Sequence, residues 1–195
     1  MKNTYIFEQN YKLDKDFRYA YSPACFDRVA FKQENNSILN STGKSLFGYE
    51  YISILERVKR RLGVVAQTEC SFEKFGAPLI VFSDDIHVNE KGEWIYGKHF
   101  EVVAYEDGIN IWHIIPCPEN KDRPIKPTLL AAKKFHIKDN SLINIKLQIL
   151  KDSIKAWVND EFLEVKVDDL PKEEFWVGIT ACEGINRFYS FTVED

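Results

Sequence analysis

Alternation of apolar and polar residues with a period of two recurs along almost the whole chain, and amphipathic helical patterns are nearly absent. The clearest example spans residues 143–167, where three alternating runs are separated by turn candidates at Asp152-Ser153 and Asn159-Asp160. In the register that these turns imply, the apolar side chains of all three strands lie on one face. The pattern therefore predicts antiparallel hairpins that bury a shared face.

Residues 98–115 predict another hairpin, closed by Asp107-Gly108, because this dipeptide tolerates the positive φ values of a type I′ turn. With that turn as the register, Tyr105 lies opposite Asn110, and Val103 lies opposite Trp112. One face then resembles a core face and holds Phe100, Val102, Ala104, Ile109, Ile111 and Ile115, with His113 and Glu106. The other face is polar and aromatic and holds His99, Glu101, Tyr105, Asn110 and Trp112, with Val103 and Ile114.

Length and composition narrow the class of protein. A chain of 195 residues is expected to form a single domain, residues 1–195, and its 14% aromatic content can fill a core and still supply a binding face. A net charge of −4 does not suit nucleic-acid binding, and no apolar run is long enough to span a membrane. The N-terminus shows no signal-peptide pattern, and the four cysteines form no C-x-x-C pair. We therefore expect a cytoplasmic protein with reduced thiols.

Three segments are less clear. Residues 35–45 are rich in Asn, Ser and Gly and are expected to form a loop. Residues 52–62 fit either a helix or a strand followed by a basic loop. Residues 84–97 are expected to form a polar loop that carries Trp94.

The C-terminal segments INIKLQILKDSIKAWVNDEFLEV and FWVGITACEGINRFYSFTV resemble the ending of concanavalin A-like jelly-roll domains. This superfamily includes legume lectins, laminin G domains, family 16 glucanases and 3-keto-disaccharide hydrolase-like domains. The residues that carry the resemblance are Trp157, Val158, Asn159, Asp160, Gly178, Ile179, Phe188, Tyr189, Phe191 and Val193. The resemblance implies an all-β fold, an antiparallel two-sheet jelly-roll sandwich with little helix.

Domains that this chain resembles bind sugars on the concave face of one sheet. The polar and aromatic face of the 98–115 hairpin has the groups that sugar recognition needs: flat rings for the C–H face of a sugar and planar polar groups for its hydroxyls. We therefore expect carbohydrate or sugar-derivative binding. The expected contact residues are Trp112, Tyr105, Asn110, Glu101 and His99, with Glu69 and Arg187 as second choices and Trp94 as one wall of the site.

Two other functions stay open, and whether the protein is an enzyme is undecided. A glycosidase or sugar lyase would use paired carboxylates on the same face, with Glu101 or Glu69 as the catalytic carboxylate and His99 assisting, provided that the strands of the two glutamates are neighbours. The E-x-D-x-E strand of family 16 glucanases is missing, however. Alternatively, the same face is a protein contact. We expect no cofactor or metal, since Ser190 stands where related domains often carry a calcium-binding Asp, and we make no prediction of oligomeric state.

Overall fold

The computed structural model describes residues 1–22, 31–42, 52–121 and 124–195. In this part of the chain one short helix, α1 (Leu13–Asp16), accompanies two sheets packed face to face. The fold is therefore the expected all-β sandwich. Among the described residues, no helix has the length and apolar character needed to cross a membrane.

Sheet A has the strand order β15-β14-β13-β6-β17-β4-β3, and β1 pairs with the C-terminal half of β17. Its strands are β1 (Lys2–Ile6), β3 (Lys32–Glu34), β4 (Ser37–Thr42), β6 (Val65–Glu73), β13 (Ile143–Ile149), β14 (Ser153–Val158), β15 (Glu161–Lys166) and β17 (Gly184–Glu194).

Sheet B has the order β12-β11-β10-β7-β16-β5-β2-β9-β8, and only β2 and β9 pair in parallel among the described strands. Its strands are β2 (Phe17–Tyr21), β5 (Ile52–Glu56), β7 (Pro78–Ser83), β8 (Ile86–Val88), β9 (Trp94–Tyr96), β10 (His99–Tyr105), β11 (Gly108–Pro116), β12 (Ile125–Lys134) and β16 (Trp176–Ala181).

The core lies between the sheets and is built by alternate residues of each strand. In β13 and β14 the buried residues recur at every second position, as the sequence predicts, and Asn159 adopts a positive φ of 53° in the turn between β14 and β15. From sheet B, Phe82, Phe100 and Val102 enter the same cluster. The predicted shared face of the C-terminal hairpins is thus confirmed as a core face.

The hairpin of β10 and β11 forms, but its predicted register is wrong by two residues. Tyr105 pairs with Gly108 and Val103 with Asn110, so the turn consists of Glu106 and Asp107. Gly108 has a φ of 138°, and a Cβ atom there would lie 2.1 Å from the carbonyl oxygen of Lys133 in β12. The glycine therefore serves the close approach of β12 rather than the turn centre. Because side chains alternate with a period of two, a two-residue shift leaves every side chain on its predicted face.

Two of the three unclear segments contain strands that the sequence did not resolve. The expected loop at residues 35–45 contains β4, in which Ile38 and Asn40 are fully buried. Residues 52–56 form β5, so the alternative of a strand followed by a basic loop is confirmed. The expected loop at residues 84–97 contains β8 and β9, which extend sheet B. The sequence also contains a strand candidate at residues 24–32, and it falls largely outside the described residues.

Sheet B curls strongly toward the face that points away from sheet A. Five strand spacings separate β10 from β9, which would place them about 24 Å apart in a flat sheet at ~4.8 Å per spacing. Only Gly97 and Lys98 separate the two strands in sequence, and the rings of Tyr96 and His99 lie 4.6 Å apart. The outer face of sheet B is therefore concave.

A buried ion pair closes one end of the sandwich and joins the two sheets. Arg60, which follows β5, donates to both carboxylate oxygens of Glu56 at 2.6 and 2.8 Å, and the two side chains are 1% and 0% exposed. Asn3 and Tyr5 of β1 also donate to Glu56, each at 2.6 Å, and Arg60 donates to Asp195 at 2.9 Å. Burial acts to lower the pKa of the Arg60 guanidinium, but its hydrogen bonds to Glu56 and Asp195 outweigh burial and raise that pKa.

Replacement of Arg60 tests how much this end closure contributes. In Arg60→Met the Glu56 carboxylate stays buried without its cation, so we expect the free energy of unfolding to fall by about 3–5 kcal/mol in urea titrations followed by circular dichroism. The matched control is Arg61→Met, because Arg61 pairs with Glu174 at 2.9 Å while 79% exposed. The urea concentration at the unfolding midpoint of Arg61→Met should be nearly the same as that of the wild type. Equal losses in the two variants would contradict the account.

His113 of β11 points into the core and lies flat against Phe100, with ring centroids 4.4 Å apart and planes 6° from parallel. Its Nε2 atom is buried without a hydrogen-bond partner and lies 4.0 Å from Asp169. Burial lowers the pKa of the His113 imidazole, although Asp169 opposes the shift. The folded protein therefore binds this proton less readily than the unfolded chain does.

This shift predicts a pH dependence of stability. The neutral His113 imidazole contributes fully to the free energy of unfolding when the pH is above 6.5, the pKa of this group in the unfolded chain. This contribution is lost as the pH falls below that value. His113→Phe keeps a flat ring against Phe100 but cannot take up a proton. We expect its melting temperature to fall less than that of the wild type between pH 7.5 and pH 5.5. The same decrease in both proteins would show that His113 does not carry this sensitivity.

Candidate functional site

The concave outer face of sheet B carries five of the residues that the sequence marks as candidates. Since Phe100 and Val102 of β10 enter the core, His99, Glu101 and Tyr105 point outward. On β11, Asn110 and Trp112 point outward by the same alternation, and Glu101 lies directly opposite Trp112. The five residues that lie on this one face are His99, Glu101, Tyr105, Asn110 and Trp112.

His99 and Glu101 form a buried pair on this face. The Nε2 atom of His99 lies 3.3 Å from Oε1 of Glu101, and their side chains are 0% and 3% exposed. The Nδ1 atom faces the carbonyl oxygen of Gly97 at 3.0 Å and therefore carries a hydrogen. The burial of both side chains keeps them from direct contact with a ligand.

A second hydrophobic cluster, on the outer face, surrounds this pair. Tyr96 of β9 is fully buried against the ring of His99, and this burial raises the pKa of the Tyr96 phenol. Ser83, opposite His99 in β7, donates to the carbonyl oxygens of Lys98 and Asp85 at 2.7 and 3.1 Å. These bonds fix the segment that links β9 to β10 and keep the pair covered.

The same face ends on the β9 side in an aromatic corner. The rings of Trp94 and Trp176 meet edge to face with centroids 5.1 Å apart. The guanidinium of Arg18 lies 4.7 Å from the Trp94 ring, and the Lys59 ammonium lies 4.1 Å from the Trp176 ring. Trp94 thus lies on the predicted face, but its ring packs against Trp176 and a cation.

An open depression of about 290 Å³ lies at the other end of the face, and we call it the end depression. Three turns converge there: the turns between β6 and β7, between β10 and β11, and between β16 and β17. Its lining residues are Phe75, Gly76, Ala77, Val103, Tyr105, Glu106, Asp107, Asn110, Cys182 and Glu183. It therefore includes two of the predicted contact residues, Tyr105 and Asn110.

The lining of the end depression combines aromatic surface with polar atoms. Phe75 and Tyr105 are the aromatic residues, and Phe75 is 48% exposed. The Oδ1 atom of Asn110 is buried and accepts no hydrogen bond. Burial raises the pKa of the Cys182 thiol well above its usual value, so this group stays protonated and unreactive. The depression can offer a ring surface and polar side chains to a polar ligand.

The backbone holds Phe75 at the mouth of the depression in an unusual conformation. Lys74 and Phe75 are both in the left-handed region, with φ values of 53° and 57°. Residues other than glycine occupy this region at a cost of about 1–3 kcal/mol, and such strain often accompanies ligand sites. No sequence pattern marks Phe75 as a site residue, because a phenylalanine is not expected in such a turn.

Glu69 does not lie beside Glu101, so the predicted carboxylate pair is wrong. The strand of Glu69, β6, belongs to sheet A and pairs with β13 and β17. Its neighbour Cys70 is in the core, so Glu69 points to the outer face of sheet A, where it lines a separate depression of about 560 Å³ with Tyr189. The sandwich core separates the two glutamates.

Arg187 also lies away from the concave face. It is on the outer face of sheet A and donates to Glu34 and Glu73, each at 2.9 Å. The second-choice contact Arg187 is therefore not part of the concave face, whereas Glu183, in the turn between β16 and β17, lines the end depression. Among the described residues, no group of three or more His, Cys, Asp or Glu side chains is placed to hold a metal ion.

No protein-family model matches the chain, and no curated protein matches it in sequence. Solved structures do match. One comes from work on endo-acting O-glycanases that human gut microbiota express to initiate mucin breakdown; it is 10% identical, covers 98% of this chain and 97% of its own, and has a TM-score of 0.61. A second is LamA from Zobellia galactanivorans with laminaritriose and laminaritetraose, at 8% identity, 99% and 98% coverage and a TM-score of 0.59.

A third is the carbohydrate-binding module CBM66 from Bacillus subtilis, at 13% identity, 84% and 85% coverage and a TM-score of 0.50. At such low identities these likenesses establish the fold. The chain has the concanavalin A-like jelly-roll fold that its C-terminal segments resemble.

The left-handed turn leads to a stability prediction. Lys74→Gly relieves the backbone strain without changing a residue that lines the depression, so we expect the free energy of unfolding to rise by about 1 kcal/mol. Lys32→Gly is the matched control, because Lys32 lies in the extended backbone of β3, where glycine destabilises. Chemical unfolding of both variants checks the prediction. A loss of stability in Lys74→Gly would show that the turn is not strained.

Proposed function

We propose that the protein binds a carbohydrate in the end depression of the concave face. The observation that carries the proposal is the combination of two aromatic residues, Phe75 and Tyr105, with the half-buried Asn110 around one open depression. Aromatic rings pack against the C–H face of a sugar, and amide oxygens accept hydrogen bonds from its hydroxyl groups.

The fold supports this proposal. Among similar structures, LamA was solved with laminaritriose and laminaritetraose, and a kappa-carrageenase at 10% identity and a TM-score of 0.55 was solved with an oligotetrasaccharide of kappa-carrageenan. Ligands of pockets are usually held by a mostly apolar lining with a few polar groups that orient them. The end depression has this character, whereas His99 and Glu101 are too deeply buried to touch a sugar.

These positions revise the expected roles of the candidate residues. Tyr105 and Asn110 stay proposed contacts, and Phe75 joins them. Trp112 lies beside Asn110 on β11 and packs against the outer cluster, so we assign it a supporting position. The hydrolase alternative loses the carboxylate pair on which it was based, since Glu69 faces the opposite side of the sandwich. Binding is therefore the function that we advance.

The test is a fluorescence titration of the protein with a panel of mono- and oligosaccharides. We expect a saturable change for at least one sugar and at least a tenfold weaker response in Tyr105→Ala, because the loss of a stacking ring costs on the order of 1.4 kcal/mol.

The matched control is Trp157→Ala. Trp157 lies next to Phe162 on sheet A, with ring centroids 5.1 Å apart, and its loss removes an aromatic residue from the wrong face. This variant should keep the response. No response with any sugar, or equal loss in both variants, would overturn the proposal.

A further inference from the structure

The polar groups that line the end depression are dominated by acceptors. Three carboxylates line it: Glu106 and Asp107 from the turn between β10 and β11, and Glu183 from the turn between β16 and β17. The buried Oδ1 atom of Asn110 is a fourth acceptor, and it has no partner. Ionised carboxylates accept hydrogen bonds and cannot donate them. A ligand that fits this lining must therefore be rich in donors.

In the part of the chain that the structure describes, these three carboxylates have no cation paired with them, whereas several others do. Elsewhere, Arg60 pairs with Glu56, Arg187 with Glu73, Lys133 with Glu161 and Lys98 with Asp169. Within the described ranges, no ion pair involves the side chain of Glu106, Asp107 or Glu183, and no lysine or arginine lines the depression. The depression therefore has a negative potential that a cationic ligand group would offset.

A metal ion does not fit this role, since no metal-holding group of acidic, histidine or cysteine side chains occurs in the described part of the chain. The volume of about 290 Å³ lies just below the usual range for small-molecule pockets, about 300–1,000 Å³. A small ligand is thus favoured over a long chain that crosses the whole sheet.

We propose that the end depression selects amino sugars, because a protonated amine is attracted by the negative charge of Glu106, Asp107 and Glu183, which lie at separate points of the lining. This inference rests on the proposed function and adds a substrate class to it. Sugar hydroxyls meet Asn110 and the ring faces Tyr105 or Phe75, while the ammonium group supplies the charge that the lining lacks. Uronic acids, which carry a carboxylate, are repelled.

Three ligands of matched ring structure test the proposal by calorimetry: glucosamine, glucose and glucuronate oligomers of two or three units. We expect the amino form to bind on the order of tenfold more tightly than the neutral form, because an opposite charge near 4 Å contributes at least ~1 kcal/mol in water and more near a protein surface. Glucuronate oligomers should bind more weakly than both. At 1 M salt, where the screening length is about 3 Å, the preference should shrink.

The combined variant Glu106→Gln, Asp107→Asn and Glu183→Gln should bring the ratio of amino to neutral affinity close to one. Glu164→Gln is the matched control, because it removes a carboxylate from β15 in sheet A and should keep the wild-type ratio. Melting temperatures of both variants confirm that they are folded. Equal affinity for all three sugars, or a preference for glucuronate, would overturn this inference and leave sugar binding standing. Binding of none of the three, nor of any sugar in the wider panel, would instead overturn the proposed function itself.

Discussion

The curl of sheet B is the constraint on which both the core and the candidate site depend. Because β9 runs directly into β10 while pairing with β2 at the far side of the sheet, the sheet must close over its outer face. This closure gives sheet B two buried faces, one against sheet A and one over the pair of His99 and Glu101. The end where the three turns meet is open, and the depression forms there.

Carboxylate groups have different surroundings at two places in the sandwich. One end is closed by Arg60 and Glu56, whose hydrogen bonds satisfy a buried guanidinium and a buried carboxylate together. In the end depression, by contrast, Glu106 and Asp107 are exposed and Glu183 is half-buried, and none of the three has an ion-pair partner among the described residues. A buried carboxylate needs a paired cation for the fold to be stable. A carboxylate in contact with solvent does not, so a cationic group of a ligand can pair with it instead. The contrast connects the stability of the sandwich with the chemistry proposed for its site.

Local sequence patterns predicted which face of a strand each residue occupies. They did not predict features that depend on contacts between segments distant in sequence. The core face of β13 and β14 and the outward positions of Tyr105 and Asn110 follow from a period of two. The register of the β10–β11 hairpin depends on how closely β12 approaches Gly108. Because β12 lies outside the hairpin, the hairpin sequence alone does not reveal this approach. Likewise, alternation predicts that Glu69 lies on the polar face of its strand, but it does not predict which of the two sheets contains that strand. The end depression joins three turns that are remote in sequence, so Phe75 could not be recognised beside Tyr105.

The most direct test of the account is nuclear magnetic resonance of the ¹⁵N-labelled protein during titration with glucosamine oligomers. The account predicts that the amide signals that shift belong to the three turns around the end depression, at residues 75–77, 103–110 and 182–183. Signals around Glu69 and Tyr189 on sheet A should stay in place. Shifts confined to that opposite face, with the three turns unaffected, would contradict the assignment of the site.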